Sequence, residues 1–460
     1  MNAPFQAQRD TRDYQAADAA HHIHAFLDQK ALNAEGPRVI VGGDRLHLWD
    51  NDGKRYLDGM SGLWCTNLGY GRKDLAAAAS QQLEQLPYYN MFFHTTHPAV
   101  IELSELLFSL LPGHYSHAVY TNSGSEANEV LIRTVRRYWQ ILGKPEKRIM
   151  IGRWNGYHGS TLGSTALGGM KFMHEMGGML PDFEHIDEPY WYAQGGDLTP
   201  EEFGLRAARQ LEEKILELGA DKVAAFVAEP FQGAGGMIFP PESYWPEIQR
   251  ICRKYDVLLC ADEVIGGFGR TGEWFAHQHF GFQPDTLSIA KGLTSGYIPM
   301  GGLVLSKRMA EVLVEQGGVF AHGLTYSGHP VAAAVAIANL KALRDEGVVR
   351  QVKADTGPYL QQCLREVFGN HPLVGDIQGT GLVAALQLAE DKATRKRFDN
   401  ENDIAWRCRT LGFEEGVIIR STLGRMIMAP ALVATRAELD ELVEKTRKAL
   451  DRTAQELGRL

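Results

Sequence analysis

Lys291 stands where the apolar run Ser288-Ile289-Ala290 meets the loop Gly292-Leu293-Thr294-Ser295-Gly296. An ammonium held against buried backbone loses hydration, which disfavours its charge, lowers its pKa and leaves a free amine able to act as a nucleophile. Most lysines instead snorkel at the surface, so the case for chemistry rests on the neighbours. Asp262, in Cys260-Ala261-Asp262-Glu263, ends another apolar run 29 positions earlier. Between a short strand and the helical pattern Ala127, Val130, Leu131, Tyr138, Trp139 lies Thr121-Asn122-Ser123-Gly124-Ser125-Glu126. A helix opening with these residues offers unpaired N–H groups, a favourable dipole end and two hydroxyls, which together seat a phosphate. Ser123 and Glu126 also have capping-box spacing, which an ordinary helix start shares.

These parts make better sense together than apart. Pyridoxal 5′-phosphate needs a phosphate cradle, a carboxylate to keep its ring nitrogen protonated, an amine to hold its aldehyde and flat surfaces for its ring. Asp262 at a strand's carboxyl end is placed to pair with the pyridinium through a charge-assisted bond. Val264, two residues on and so on the same strand face, is a candidate support beneath the ring. Tyr157, in Arg153-Trp154-Asn155-Gly156-Tyr157-His158-Gly159-Ser160, is a candidate lid above it, although an aromatic at such a place serves equally well as core.

Two other signals point elsewhere. Gly267-Phe268-Gly269-Arg270-Thr271-Gly272 fits the dinucleotide fingerprint, but Asp262 and Glu263 already occupy the strand end and no acidic residue follows at the required distance in a second strand. The pairs His94-Thr95-Thr96-His97 and His21-His22-Ile23-His24 resemble metal-ligand spacings. No carboxylate or cysteine constellation in the sequence completes them, so no metal is expected.

The elements that must hold this chemistry are short apolar runs alternating with helical patterns. Residues 118–120, 148–151, 223–228, 257–261, 286–290 and 302–305 read as buried strands, with an amphipathic crossover helix over 242–255. That alternation predicts an α/β domain built on a largely parallel sheet. Residues 37–60 suggest a small antiparallel unit turning at Asp50-Asn51-Asp52-Gly53, and a final helix begins at the capping box Thr435-Arg436-Ala437-Glu438. The expected organisation is a large central domain over 66–330 and a smaller α+β domain assembled from 1–65 and 331–460. The 460 residues carry 47 Lys and Arg against 56 Asp and Glu, a net charge of −9, which argues against nucleic acid or anionic membrane as bulk partners. Five cysteines without C-x-x-C spacing suit a reducing cytoplasm. Met1 to Asp13 is polar and lacks the apolar stretch of a signal peptide, so a cytoplasmic location is expected.

Asn122-Ser123-Gly124-Ser125-Glu126-Ala127-Asn128, Gly156-Tyr157-His158-Gly159, Ala228-Glu229-Pro230, Asp262-Glu263-Val264, Gly267 to Gly272, Ala290-Lys291-Gly292 and Thr325-Tyr326-Ser327-Gly328-His329-Pro330 occur in the order typical of class III aminotransferases. The chain resembles most closely the bacterial ω-transaminases that use pyruvate as acceptor. That closer likeness rests on Gly62-Leu63-Trp64-Cys65, Leu86-Pro87-Tyr88-Tyr89-Asn90, Gly152 to Gly156 and Thr294-Ser295-Gly296-Tyr297. The resemblance implies a fold-type I enzyme with a mainly parallel seven-stranded sheet. It implies Lys291 as the catalytic residue that holds the cofactor aldehyde, Asp262 at the ring nitrogen, and Ser123, Gly124 and Ser125 at the phosphate. Tyr157 and His158 fall beside the ring, Val264 on its other face and Glu229 near the ring hydroxyl. Thr325 is implied to reach the phosphate in a neighbouring subunit, making a homodimer with shared sites, or a tetramer of such pairs. Leu63, Trp64, Tyr157 and Leu324 would wall the substrate pocket, and Arg420 would be the mobile arginine that meets pyruvate's carboxylate. Leu324 stands where relatives often carry an aromatic, and Ala431 where a second proline is common. The implied reaction is ping-pong transfer from putrescine or another polyamine to pyruvate, with β-alanine or another ω-amino acid as alternative donor. An aminomutase or decarboxylase, and a non-catalytic binding protein, are the more distant alternatives.

Overall fold

The structure, a computed structural model, describes residue 5 and residues 7–460; residues 1–4 and 6, within the polar N-terminal stretch, lie outside the described residues. The first sheet begins as a meander of β1 (Ile40–Asp44), β2 (His47–Asp50) and β3 (Arg55–Asp58), with the turn at Asp50 to Gly53 falling between β2 and β3. The central sheet contains β4 (Tyr115–Thr121), β5 (Ile149–Arg153), β6 (Phe183–Ile186), β7 (Val223–Ala228), β8 (Leu258–Asp262), β9 (Thr286–Ile289) and β10 (Gly301–Ser306), in the spatial order β4-β10-β9-β8-β7-β5-β6. Every residue of β7, β8, β9 and β10 is buried. Continuous apolar strands of this kind need cover on both faces, as parallel sheets have.

All neighbouring pairs in this sheet are parallel except the two made by β10, which is antiparallel to both β4 and β9. Consequently β4, β5, β7, β8 and β9 share one direction and their carboxyl ends share one edge. The six sequence-expected strands are present. The seventh strand that the resemblance implies is β6, which the apolar runs did not locate: Phe-Glu-His-Ile is short and has two polar residues at its centre, so its pairing with β5 is decided by tertiary context. The crossover helix Tyr244–Lys254 runs between β7 and β8 and buries Tyr244, Trp245, Ile248, Ile251 and Cys252. Trp245 stacks on Phe282 with ring centroids 4.0 Å apart. On the sheet's other cover, the helix Gly124–Ile141 packs against β4, β7, β9 and β10.

Chain ends meet beside this core. β13 (Val417–Ile418) adds in parallel to β3, and a separate antiparallel sheet has the order β11 (Val374–Thr380), β12 (Val383–Leu388), β15 (Arg425–Met428), β14 (Arg420–Thr422). The last helix, Arg436–Glu456, starts at the expected capping box on Thr435 and Glu438. Among the described residues no helix is long and apolar enough to cross a membrane.

The glycine-rich segment 267–272 explains why a dinucleotide fingerprint misleads here. It opens no long helix, since only Ala276–His279 follows. Instead it delivers Arg270 into the interior, where its guanidinium donates to Asn67 Oδ1 (2.7 Å), Ser61 Oγ (3.0 Å) and the carbonyl of Pro430. Burial lowers the Arg270 pKa to about 10. This side chain joins the segment after β3, the loop after β8 and the loop after β15. Arg270→Met should leave three buried acceptors without a donor, at about 1–3 kcal/mol each before relaxation. The expected result is a clear fall in the urea unfolding midpoint.

Candidate active site

The common edge of the central sheet gathers the residues that could do chemistry. Asp262 is the last residue of β8, Glu229 follows β7, Tyr157 and His158 lie in the loop after β5, and Lys291 comes two residues after β9. The helix Gly124–Ile141 begins three residues after β4 and aims its N-terminus at the same place. Ligands of open α/β sheets bind at such carboxyl edges. One cavity is lined by Gly124, Ser125, Asn128, Tyr157, His158, Gly159, Glu229, Asp262, Val264, Ile265, Ala290 and Lys291.

Asp262 is 4% exposed, and burial alone would push its pKa up. The opposing contacts win. His158 Nδ1 lies 2.7 Å from Asp262 Oδ2, Asn128 Nδ2 donates to the same oxygen at 2.9 Å, and the Val264 amide donates to Oδ1 at 3.1 Å. The net effect holds Asp262 below the usual carboxylate value, and therefore ionised. Asn128 is itself positioned: it donates to the His158 carbonyl at 2.7 Å and accepts from Ser288 Oγ at 2.7 Å. Ser288 is the β9 residue paired with Asp262 in register.

Lys291 shows the opposite balance. Burial depresses its pKa, and the charges of Asp262 and Glu229 only partly offset this. Its backbone φ is 44°, in the left-handed region that a non-glycine residue visits at a cost. Glu229 is buried, which raises its pKa. It accepts from the Tyr157 amide at 3.2 Å and the Gly233 amide at 2.8 Å, and so fixes the loop that carries Tyr157.

Two glycines keep the cavity open and narrow. A Cβ on Gly124 would meet Val264 at 3.0 Å. Gly159, at φ 132°, leaves no room for one, because Ser125 Oγ and Ser164 Oγ would each lie 2.5 Å away. Val264 lines the cavity from beyond the end of β8, so the strand alternation invoked for it does not apply. These features fit pyridoxal 5′-phosphate: an amine whose pKa burial lowers, a carboxylate kept charged, a helix N-terminus with Gly124 and Ser125, and the side chains of Tyr157 and Val264 lining the same cavity.

Other sequence-selected residues lie outside the set that lines this cavity. Ser123 Oγ accepts from the Glu126 amide at 3.2 Å, so it caps the helix. Leu63 is 53% exposed. Leu324 is half-buried and Thr325 exposed, with the Thr325 carbonyl accepting from Tyr88 Oη at 2.8 Å. Trp64 is buried, at φ 59°, with Lys291 Nζ 6.0 Å from its ring centroid and the Arg420 guanidinium carbon 4.9 Å from it. Ala431 is buried next to Pro430, the residue whose carbonyl Arg270 binds.

Sequence reasoning missed Asn128, Ser288 and Phe26. The first two left a signal, being polar residues on an apolar helix face and in an apolar strand. Phe26 left none: its ring meets Tyr157 edge-on at 6.4 Å across more than a hundred positions of sequence. The histidine pairs also separate. His97 is buried and caps the helix Pro98–Leu110, whereas His22 and His24 both meet a carboxylate, that of Asp18, which corrects the expectation that no acidic group completes this pair.

The aminotransferase class-III family matches residues 32–450. The chain is 52% identical over 445 residues to the putrescine–pyruvate aminotransferase of Pseudomonas aeruginosa, covering 96% of this chain and 97% of that protein. Among solved structures, a thermostable (S)-enantioselective omega-transaminase from Thermomicrobium roseum is 42% identical with a TM-score of 0.93, covering 97% of this chain and 100% of that one. The omega transaminase of Pseudomonas jessenii in complex with PMP is 38% identical with a TM-score of 0.94, covering 97% and 99%.

The depressed Lys291 pKa has a sign that can be measured in the cofactor-free protein. Between its folded value and the ordinary 10.5, the unfolded chain binds more protons, so stability rises with pH there. Lys291→Met removes that penalty. Its urea midpoint should exceed that of the parent at neutral pH, with the advantage fading as pH climbs toward 10.5.

Proposed function

The chain belongs to the class-III aminotransferases, fold-type I pyridoxal 5′-phosphate enzymes, and we propose that it transfers the amino group of putrescine or another diamine or polyamine to pyruvate, giving an aldehyde and alanine by ping-pong exchange. The observation that carries the substrate assignment is the 52% identity, across 96% of this chain, to a protein named for putrescine and pyruvate.

When bound, pyridoxal phosphate supplies an aldehyde that takes up the amino group and a protonated ring that draws electrons from the carbon losing its proton. The protein's part is positioning and proton transfer. Asp262, held ionised by His158 and Asn128, would keep the ring nitrogen protonated. Lys291 Nζ, favoured as the neutral amine by burial, would take the proton from the substrate carbon and return it, acting as base and then acid. Tyr157 and Val264 would hold the ring between them, while the helix N-terminus at Gly124 and Ser125 would take the phosphate.

A pocket that accepts both a cationic amine and pyruvate must change its charge between half-reactions. Arg420 is suited to this. Among the described residues it pairs with no carboxylate; its Nε donates to Thr422 Oγ1 at 3.3 Å and its guanidinium rests on Trp64. Such a resting contact is weak enough to exchange for a bidentate bond to a substrate carboxylate. We further assign a homodimer with shared sites. Exposed Phe92, Val319, Phe320 and Tyr326, near Thr325 in the chain or, for Phe92, beside Gly323, support a partner covering this region and Thr325 reaching that partner's cofactor. Pairing of β3 with β13 supports a small domain from 1–65 and 331–460 around the large domain 66–330.

Purified enzyme supplied with pyruvate should form alanine from putrescine and cadaverine faster than from β-alanine. Equal inactivity of all three donors would overturn the substrate class, and carbon dioxide release without stoichiometric alanine would indicate a decarboxylase instead. Arg420→Leu should raise KM for pyruvate by roughly 10- to 100-fold, the worth of a charged hydrogen bond. Amine-driven conversion of the cofactor, followed by its absorbance in a single turnover, should be retained.

A further inference from the structure

Outside the catalytic cavity, one cluster of ligand-bearing side chains is assembled from three positions of the N-terminal segment. The helix Thr11–His21 ends just before His22, whose backbone is extended at φ −126° and ψ 136°. In extended chain, residues two apart face the same way, so His22 and His24 turn toward one side. Asp18 lies one helical turn before His22 and faces it. His22 Nδ1 is 3.0 Å from Asp18 Oδ1, His24 Nε2 is 2.7 Å from Asp18 Oδ2, and the imidazole centroids are 4.4 Å apart. The three ligand atoms lie within 4.8 Å of one another.

We propose that Asp18, His22 and His24 form a binding site for one divalent cation of the zinc class, which fastens the segment leading to Phe26. Two imidazoles and a carboxylate are a donor set that borderline cations favour, with the remaining position open to water. Zinc–nitrogen bonds of about 2.0–2.1 Å in a tetrahedron set ligand atoms roughly 3.3 Å apart, so the observed spacing needs to open by about half an ångström. Each imidazole can vacate the inward nitrogen by moving its proton to the other ring nitrogen, and His22 is 63% exposed on its side chain, leaving access for water and ion. The site bears on the cavity through a short stretch of chain. The His24 amide donates to Gln29 Oε1 at 2.9 Å, Asp28 caps the helix Gln29–Glu35, and between them Phe26, at φ 58°, sets its ring against Tyr157 at 6.4 Å and Phe172 at 6.2 Å. A cation at Asp18 therefore fixes one end of the turn whose tip covers Tyr157.

The test uses chelator-washed, cofactor-loaded full-length protein titrated calorimetrically with zinc chloride. One saturable equivalent per chain is expected, weakened about tenfold or more in His22→Ala/His24→Ala and likewise in the shape-preserving Asp18→Asn. Crystals of the unaltered protein soaked in zinc should show an anomalous peak between His22 Nδ1, His24 Nε2 and the Asp18 carboxylate, a readout independent of how any variant folds. No saturable heat, undiminished affinity in both variants, or anomalous peaks only at other residues would overturn the proposal.

Discussion

The site depends on keeping one carboxylate charged where water is excluded. Burial pushes Asp262 toward its neutral form, and a neutral acid could not hold a proton on a pyridine ring. His158, Asn128 and the Val264 amide reverse that preference through hydrogen bonds to both oxygens. Each of these partners needs its own support, which is why the helix Gly124–Ile141, strand β9 and the loop after β5 must all close on one point. Ser288 orients Asn128, and Asn128 in turn holds the His158 backbone. The fold thus supplies a three-element lattice around a single charge.

Lys291 is tuned by the same surroundings in the reverse sense. Its amine is desolvated, and the nearby carboxylates limit how far its pKa falls. Its left-handed backbone, like that of Trp64, is a cost the surrounding packing sustains. The two residues stand close, with Arg420 on the same indole, so amine, aromatic wall and guanidinium are held in one group by the convergence of three chain segments.

Much of this was legible from sequence because local chemistry and local structure coincide. Asp262 ends an apolar strand and Lys291 follows another by two residues, Gly124 and Ser125 open a capped helix, and the strands between them carry unmistakable apolar runs. What was not legible depends on distant approach. β6 is too short and mixed to announce itself, and Phe26 meets Tyr157 only through tertiary folding. Asn128 and Ser288 were visible as polar residues in apolar settings, yet their roles follow from the register of β8 with β9. Ser123 carries both a capping and a phosphate reading in its motif, and its hydroxyl oxygen accepts the capping bond from the Glu126 amide. Asp18 shows the same limit: four residues from His22, it reaches both imidazoles only because a helix stops and extended chain begins between them.

The reversed direction of β10 has a geometric consequence. It separates β4 from β9 by two strand spacings, about 9.6 Å, while leaving both to finish at the same edge. The intervening strand begins with Gly301-Gly302, and no side chain rises there; a Cβ on Gly301 would lie 2.5 Å from the Ser123 carbonyl oxygen. The sheet is therefore a ruler. A phosphate seated above β4, together with groups met by Lys291 after β9 and by Asp262 at the end of β8, would have to span these spacings within one flat molecule, so the strand order would set the length of ligand whose parts reach all three.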